Sequence, residues 1–189
     1  MKLLICGDSF AADWTTKYPD KKGWPNLLAE HHNVVNLAQA GCGEYKILLQ
    51  LLSIDFTQFD QIIVSHTSPY RIYVKDHPVH AGDVLHNNSD LIYKDIKEHS
   101  KTNKKLSGLV DYFENHVDLT YLEFIHSLIV KEIKTLLKDF KVLHISHQDN
   151  PSLDQYINFS DVVNAHSGLI NHYNDQGNFI VYSKIAGFV

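Results

Sequence analysis

Short apolar runs alternate with amphipathic stretches along this chain, and the alternation predicts an α/β domain built on a largely parallel sheet. Four runs read as strands: residues 2–6, 33–37, 61–65 and 141–146. The third, Gln-Ile-Ile-Val-Ser, is unbroken in the way a strand covered on both faces requires. A fifth strand has no clear signature. Pro25 marks a first helical position, and its helix continues through Leu27, Leu28 and Ala29. A second helix is predicted over 45–52, after Gly41-Cys42-Gly43. The longest follows Asp118 or Thr120, where Thr120 and Glu123 have capping-box spacing. Leu122, Ile125, Ile129, Ile133 and Leu136 give it a single apolar stripe. A last helix is expected over about 175–185.

From residue 66 to about 105 the periodicity fades, punctuated by Pro69, Pro78, Gly82 and Asn87-Asn88, with one short helix near 90–98. Irregular connections of that length usually form a lid or a binding loop. The expectation is one domain over 1–189 with a pocket-forming insertion at about 66–105. The stretch from 147 to 170 also reads as irregular.

Composition narrows the function classes. A formal net charge of -5 argues against a nucleic-acid partner. No apolar segment approaches bilayer length, and the N-terminal run is too short for a signal peptide. Two cysteines, Cys6 and Cys42, do not make a disulfide framework, so a reducing cytoplasm is expected. Among 13 histidines, His77/His80 and His144/His147 have spacings a metal can use. Neither pair has a matching second half in the sequence, and Pro78 keeps the first off one helical face. The expectation is therefore loop and surface histidines, with no metal and no cofactor.

Three places carry chemistry. Ser9 follows the first strand in Gly7-Asp8-Ser9, where a tight turn would hold a serine at the sheet's carboxyl edge. Alone, that tripeptide equally describes a polar turn. His172 lies just ahead of the last helix, and an early strand-end serine with a late pre-helix histidine says more than either residue. Gly41, at the end of Asn36-Leu-Ala-Gln-Ala, lets backbone approach a ligand and offers an N–H to an oxyanion. Gly41-Cys42-Gly43 lacks the third glycine of a dinucleotide fingerprint, since Lys46 occupies that place.

In this order the pieces resemble the SGNH hydrolases, or GDSL esterase/lipase family. Gly7-Asp8-Ser9 is similar to the first block, Gly41 to the second-block glycine, and His172 with Gly177 to the last block. The resemblance implies a three-layer α/β/α sandwich of flavodoxin-like type with a parallel sheet of four to five strands. It also implies Ser9 as nucleophile, His172 as general base, and Ser9 and Gly41 N–H groups as the oxyanion hole. Two blocks depart from the pattern. Ser68 stands where the third block has its asparagine donor, with His66 and Arg71 beside it as possible electrostatic substitutes. Leu169 stands where the acid would be, and Asp161 is the nearest acidic residue upstream.

The resemblance implies a serine esterase or acylhydrolase acting on a small or carbohydrate-linked ester. Ser9 and His172 would be catalytic, Ser9, Gly41 and Ser68 would bind the oxyanion, and Asp8, His66 and Arg71 would contact substrate. A carbohydrate O-acyltransferase and a catalytically inactive binding module are the alternatives. The only partner expected is the ester substrate; neither nucleic acid nor membrane is.

Overall fold

A computed structural model describes all residues, 1–189. The first half contains β1 (Lys2–Gly7), α1 (Trp24–Ala29), β2 (Asn33–Asn36), α2 (Glu44–Leu52) and β3 (Gln61–His66). Then come β4 (Arg71–Ile72), β5 (Leu91–Ile92), α3 (Tyr93–Ser100), α4 (Ser107–Asn115) and α5 (Leu119–Leu136). The chain closes with β6 (Val142–Ser146), β7 (Ile157–Asn158), α6 (Ser160–Ala165), β8 (Ser167–Ile170) and α7 (Asp175–Ala186).

Five strands form one parallel sheet in the order β2-β1-β3-β6-β7. Leu3 lies opposite both Val34 and Gln61, and Ile63 opposite Leu143, which sets the register across the centre. Alternate residues of β1 and β3 feed two separate cores. Leu4, Cys6, Ile62 and Val64 face Ile47 and Leu51 of α2 and Ile133 of α5. Ile5 and Ile63 face Trp24 and Leu28 of α1 and Val181 and Ile185 of α7. The result is the expected three-layer α/β/α sandwich. Each fully buried leucine or isoleucine contributes roughly 1.5–3 kcal/mol, so the central strands need both helical layers. Burial pushes the Cys6 and Cys42 thiols up to about 12, and both behave as small apolar side chains.

Several elements differ from the sequence expectation. The fifth strand, β7, is two residues long, too short for any periodicity to register. Residues 66–105 are more ordered than their composition implies, because β4 and β5 pair antiparallel and lead directly into α3. Helix α4 has no fully buried residue and so lacks the apolar stripe that would announce it. Asp118 caps α5, accepting from the N–H groups of Thr120 and Tyr121 at 2.9 and 3.2 Å, which leaves the Thr120–Glu123 box unused. Nor are the histidines mainly superficial: His66, His77, His126 and His147 are buried. No helix is long and apolar enough to cross a membrane.

The chain leaves β1 for β2 on one side of the sheet and crosses to β3 and β6 on the other. That reversal opens a crevice above the carboxyl ends of β1 and β3, the place where open α/β sheets hold ligands.

Candidate active site

Ser9 reaches the crevice because β1 ends in a residue that must be glycine. A Cβ on Gly7 would lie 2.6 Å from the Ser65 Cβ of β3. Gln50 of α2 brackets that glycine, accepting from its N–H at 2.8 Å and donating to its carbonyl at 3.0 Å. Asp8 then turns the chain, one carboxylate oxygen accepting from Phe10 N–H at 3.0 Å. The other oxygen accepts from Thr67 Oγ1 and Arg71 Nη2, each at 2.8 Å. Arg71 Nη1 donates to the Cys42 carbonyl at 2.6 Å, so one guanidinium ties the Ser9 turn to the Gly41 loop. The Ser9 carbonyl is held by Trp14 Nε1 at 3.0 Å and Asn171 Nδ2 at 3.2 Å.

His172 arrives on a second tight turn. Asn171 and His172 have φ of 51° and 63°, at the tip of a hairpin in which Ile170 pairs with Tyr173. Two successive positive φ values are the signature of a hairpin turn twisted to suit its strands. Asparagine tolerates that region; a histidine there costs on the order of 1 kcal/mol. The turn is clamped against that cost. Asn171 Nδ2 also donates to the Ala12 carbonyl at 2.8 Å. Asn178 of α7 donates to the Ile170 carbonyl at 2.9 Å and accepts from Trp24 N–H at 3.0 Å. These restraints leave His172 Nε2 at 2.7 Å from Ser9 Oγ, across 163 residues of sequence.

An aromatic stack sets the tilt of the imidazole. The Phe10 ring lies between His172, at 4.3 Å between centroids, and His147, at 4.4 Å and nearly parallel. His147 is itself held by the Tyr173 hydroxyl and by Ser65 Oγ at 3.2 Å, and burial lowers its pKa to about 3. The His172 residue is exposed at the hairpin tip, yet the atoms packed around its imidazole strip enough water to lower its pKa. The Asp8 carboxylate opposes that shift, while Arg71 and His86 reinforce it. The ring is therefore neutral at pH 7 and able to accept a proton. No carboxylate pairs with it: Leu169 is 57% exposed on β8, and Asp161 lies in the first turn of α6.

Gly41 completes this side of the crevice, with φ of 78° and a position where a Cβ would meet Ser89 Oγ at 2.3 Å. Its carbonyl accepts from Asp90 N–H at 3.0 Å, while the N–H groups of Gly41 and Ser9 donate to no protein acceptor. Ser9, Gly41 and His172 line one cleft of about 200 Å³, whose other walls come from Trp14 and the 80–95 segment. Of its ten lining residues only Trp14 and Ile92 are hydrophobic, yet most of the surface the ten present to the cleft is apolar.

Ser68 and His66 are not brought to this cleft. Ser68 Oγ accepts from Tyr70 N–H at 3.3 Å and borders a different cavity, against α5. His66 ends β3 with its side chain on the α2 face, where Glu44 Oε1 meets Nδ1 at 2.6 Å and His144 meets Nε2 at 2.8 Å. Glu44 is buried with those rings and also accepts from Thr67 N–H at 3.1 Å; the neighbouring His66 and His126 hold its carboxyl well below the usual range. Asp8 and Arg71 lie beneath the Ser9 turn, paired with each other, where they act as braces. Sequence reasoning passed over Asn171, Gln50 and Asn178, whose roles are backbone clamps. Only the Asn171-His172 pair, with its tolerance for positive φ, carried a turn signal.

No protein-family model matches the chain, and no curated protein sequence does. Among solved structures, a provisionally assigned lipolytic protein of the G-D-S-L family from Desulfitobacterium hafniense aligns over 100% of this chain and 99% of its own. The TM-score is 0.41 and the identity 14%, too slight a likeness to carry a function across.

Proposed function

We propose that this chain is a serine hydrolase that cleaves a small or carbohydrate-linked ester. The observation that carries the proposal is the 2.7 Å approach of His172 Nε2 to Ser9 Oγ in a cleft that also presents two unengaged backbone N–H groups. His172 takes the Ser9 hydroxyl proton as Oγ attacks the ester carbonyl carbon. The carbonyl π electrons move onto oxygen, and the oxyanion is met by the Ser9 and Gly41 N–H groups. As the intermediate collapses, His172 returns the proton to the departing alkoxide and an acyl-serine remains. A water, deprotonated by the same imidazole, then attacks the acyl carbon; as the bond from that carbon to Ser9 Oγ breaks, the imidazole returns its proton to Oγ and the acid leaves.

The acid of a full triad has no counterpart, so the Phe10 stack and the hairpin turn orient the ring in its place. A cleft of only about 200 Å³ favours a short acyl group over a long lipid chain.

The test uses a fluorophosphonate probe with intact-mass detection, beside hydrolysis of p-nitrophenyl esters of two, four and eight carbons. One label on Ser9, none in Ser9→Ala, and highest activity on the shortest ester are the expected outcomes. A folded wild-type protein that takes no label and hydrolyses none of the esters would sink the hydrolase reading and leave a binding module.

A further inference from the structure

In the wall of the same cleft, the insertion gathers three histidines and an aspartate, and this cluster plays no part in the proposed ester chemistry. His77 and His80 come from the irregular stretch between β4 and β5; Asp95 and His99 come from successive turns of α3. His80 Nε2 lies 2.9 Å from Asp95 Oδ2, and His77 Nε2 lies 3.8 Å from the same oxygen. One donor atom from each of His77, His80 and Asp95 falls within 4.8 Å of the other two. His77 is 2% exposed, and its Nε2 has no hydrogen-bond partner although it is aimed at the carboxylate. A buried polar atom left unpaired in that way needs an explanation, and a cation between the three side chains supplies one.

We propose that His77 Nε2, His80 Nε2 and an Asp95 carboxylate oxygen bind a divalent transition-metal cation, zinc by ligand type, in the wall of the Ser9 cleft. Two imidazoles and one carboxylate suit zinc, and three protein ligands leave one tetrahedral position for water or a substrate oxygen. Bonds of about 2.0–2.1 Å place tetrahedral ligand atoms about 3.3 Å apart, between the two separations seen here. The remaining carboxylate oxygen, Asp95 Oδ1, lies 3.5 Å from His99 Nε2, which can fix the carboxylate's orientation as outer partners of metal sites do. His80 and Asp95 both line the cleft, so an ion there would hold its outer wall against α3.

One cost is visible. His77 Nδ1 accepts long contacts from the Val79 and His80 N–H groups at 3.2 and 3.3 Å, which places the ring proton on Nε2. A cation at Nε2 requires the other neutral tautomer, with the hydrogen moved to Nδ1, so those two contacts are given up. The affinity should accordingly be moderate, with a dissociation constant on the order of micromolar, against the far tighter binding of sites that exist to fold a domain.

The experiment is calorimetric titration of zinc into EDTA-dialysed protein, with hydrogen exchange of residues 77–99 as a second readout. One zinc per chain is expected, with slowed exchange confined to that segment. Asp95→Asn and His80→Gln should each weaken binding at least about tenfold, while His116→Ala, at an exposed histidine far along the sequence, should not. Equal binding by wild type and Asp95→Asn, or a loss matched by His116→Ala, would overturn the site. Should Asp95→Asn not fold, zinc that leaves exchange in 77–99 unchanged in wild type would overturn it alone. Ser9 labelling is read separately, so failure here leaves the hydrolase proposal standing.

Discussion

Lowering the pH should unfold this protein through a small set of neutral buried histidines, and His147 allows one of them to be isolated. Its pKa falls from 6.5 to about 3 on folding because the ring is buried between Phe10 and Phe159. Between those limits only the unfolded chain binds the proton, so stability is full above pH 6.5 and declines as pH falls. Each unit is worth about 1.36 kcal/mol, which gives about 2 kcal/mol lost to His147 by pH 5. His77 and His144 are likewise lowered to about 4, chiefly by burial, and His172 is lowered too, so at least three protons should be taken up on unfolding in this window. The slope is then at least about 4 kcal/mol per pH unit, and removing His147 should cut it by about 1.

Urea unfolding, followed by fluorescence of the two tryptophans, measures the slope at about pH 5 to 6, above the range where Glu44 adds to it. His147→Phe keeps the stack but leaves the Tyr173 and Ser65 hydroxyls without their partner, at about 1–3 kcal/mol each. The triple variant His147→Phe/Tyr173→Phe/Ser65→Ala removes those orphans and isolates the proton. A slope identical to wild type in both variants would show that His147 is not held neutral by burial, and the reasoning about the stack beneath His172 would fall with it.

The acidic limb of kcat/KM should lie below pH 6.5, because burial lowers the pKa of His172 and only its neutral ring can take the Ser9 proton. A limb at or above 6.5 in rate profiles on p-nitrophenyl acetate would contradict that assignment. Arg71→Met should destabilise the fold by about 3 kcal/mol in chemical denaturation, since it strands the buried Asp8 carboxylate and frees the Cys42 carbonyl. A loss under about 1 kcal/mol would show that Thr67 and Phe10 N–H satisfy Asp8 without it.

What could be read from the sequence follows the length over which each signal extends. β1, β3 and α5 span enough residues for alternation or a helical stripe to emerge, and their expected limits differ from the structure by one or two positions. β7 and the β4/β5 pair are two residues per strand and owe their existence to tertiary pairing, which no local window contains. Ser9 and Gly41 could be singled out because tight turns demand particular residues. Ser68 was placed by counting along the chain from β3, but the chain after His66 turns toward α5, and the spacing does not record that turn. Asp95 is 15 residues from His80, so the third member of the histidine cluster was invisible until α3 folded back over the cleft.

The Ser9 turn is finished by groups from the other end of the polypeptide: Asn171 holds its carbonyl, and Asn178 anchors the hairpin bearing the imidazole to the backbone of Trp24. During synthesis, then, the Ser9 turn stays unfinished until the hairpin 163 residues further along has emerged and folded. A chain cut before α7 loses the Asn178 anchor, and the hairpin should no longer hold the His172 imidazole against the Ser9 hydroxyl.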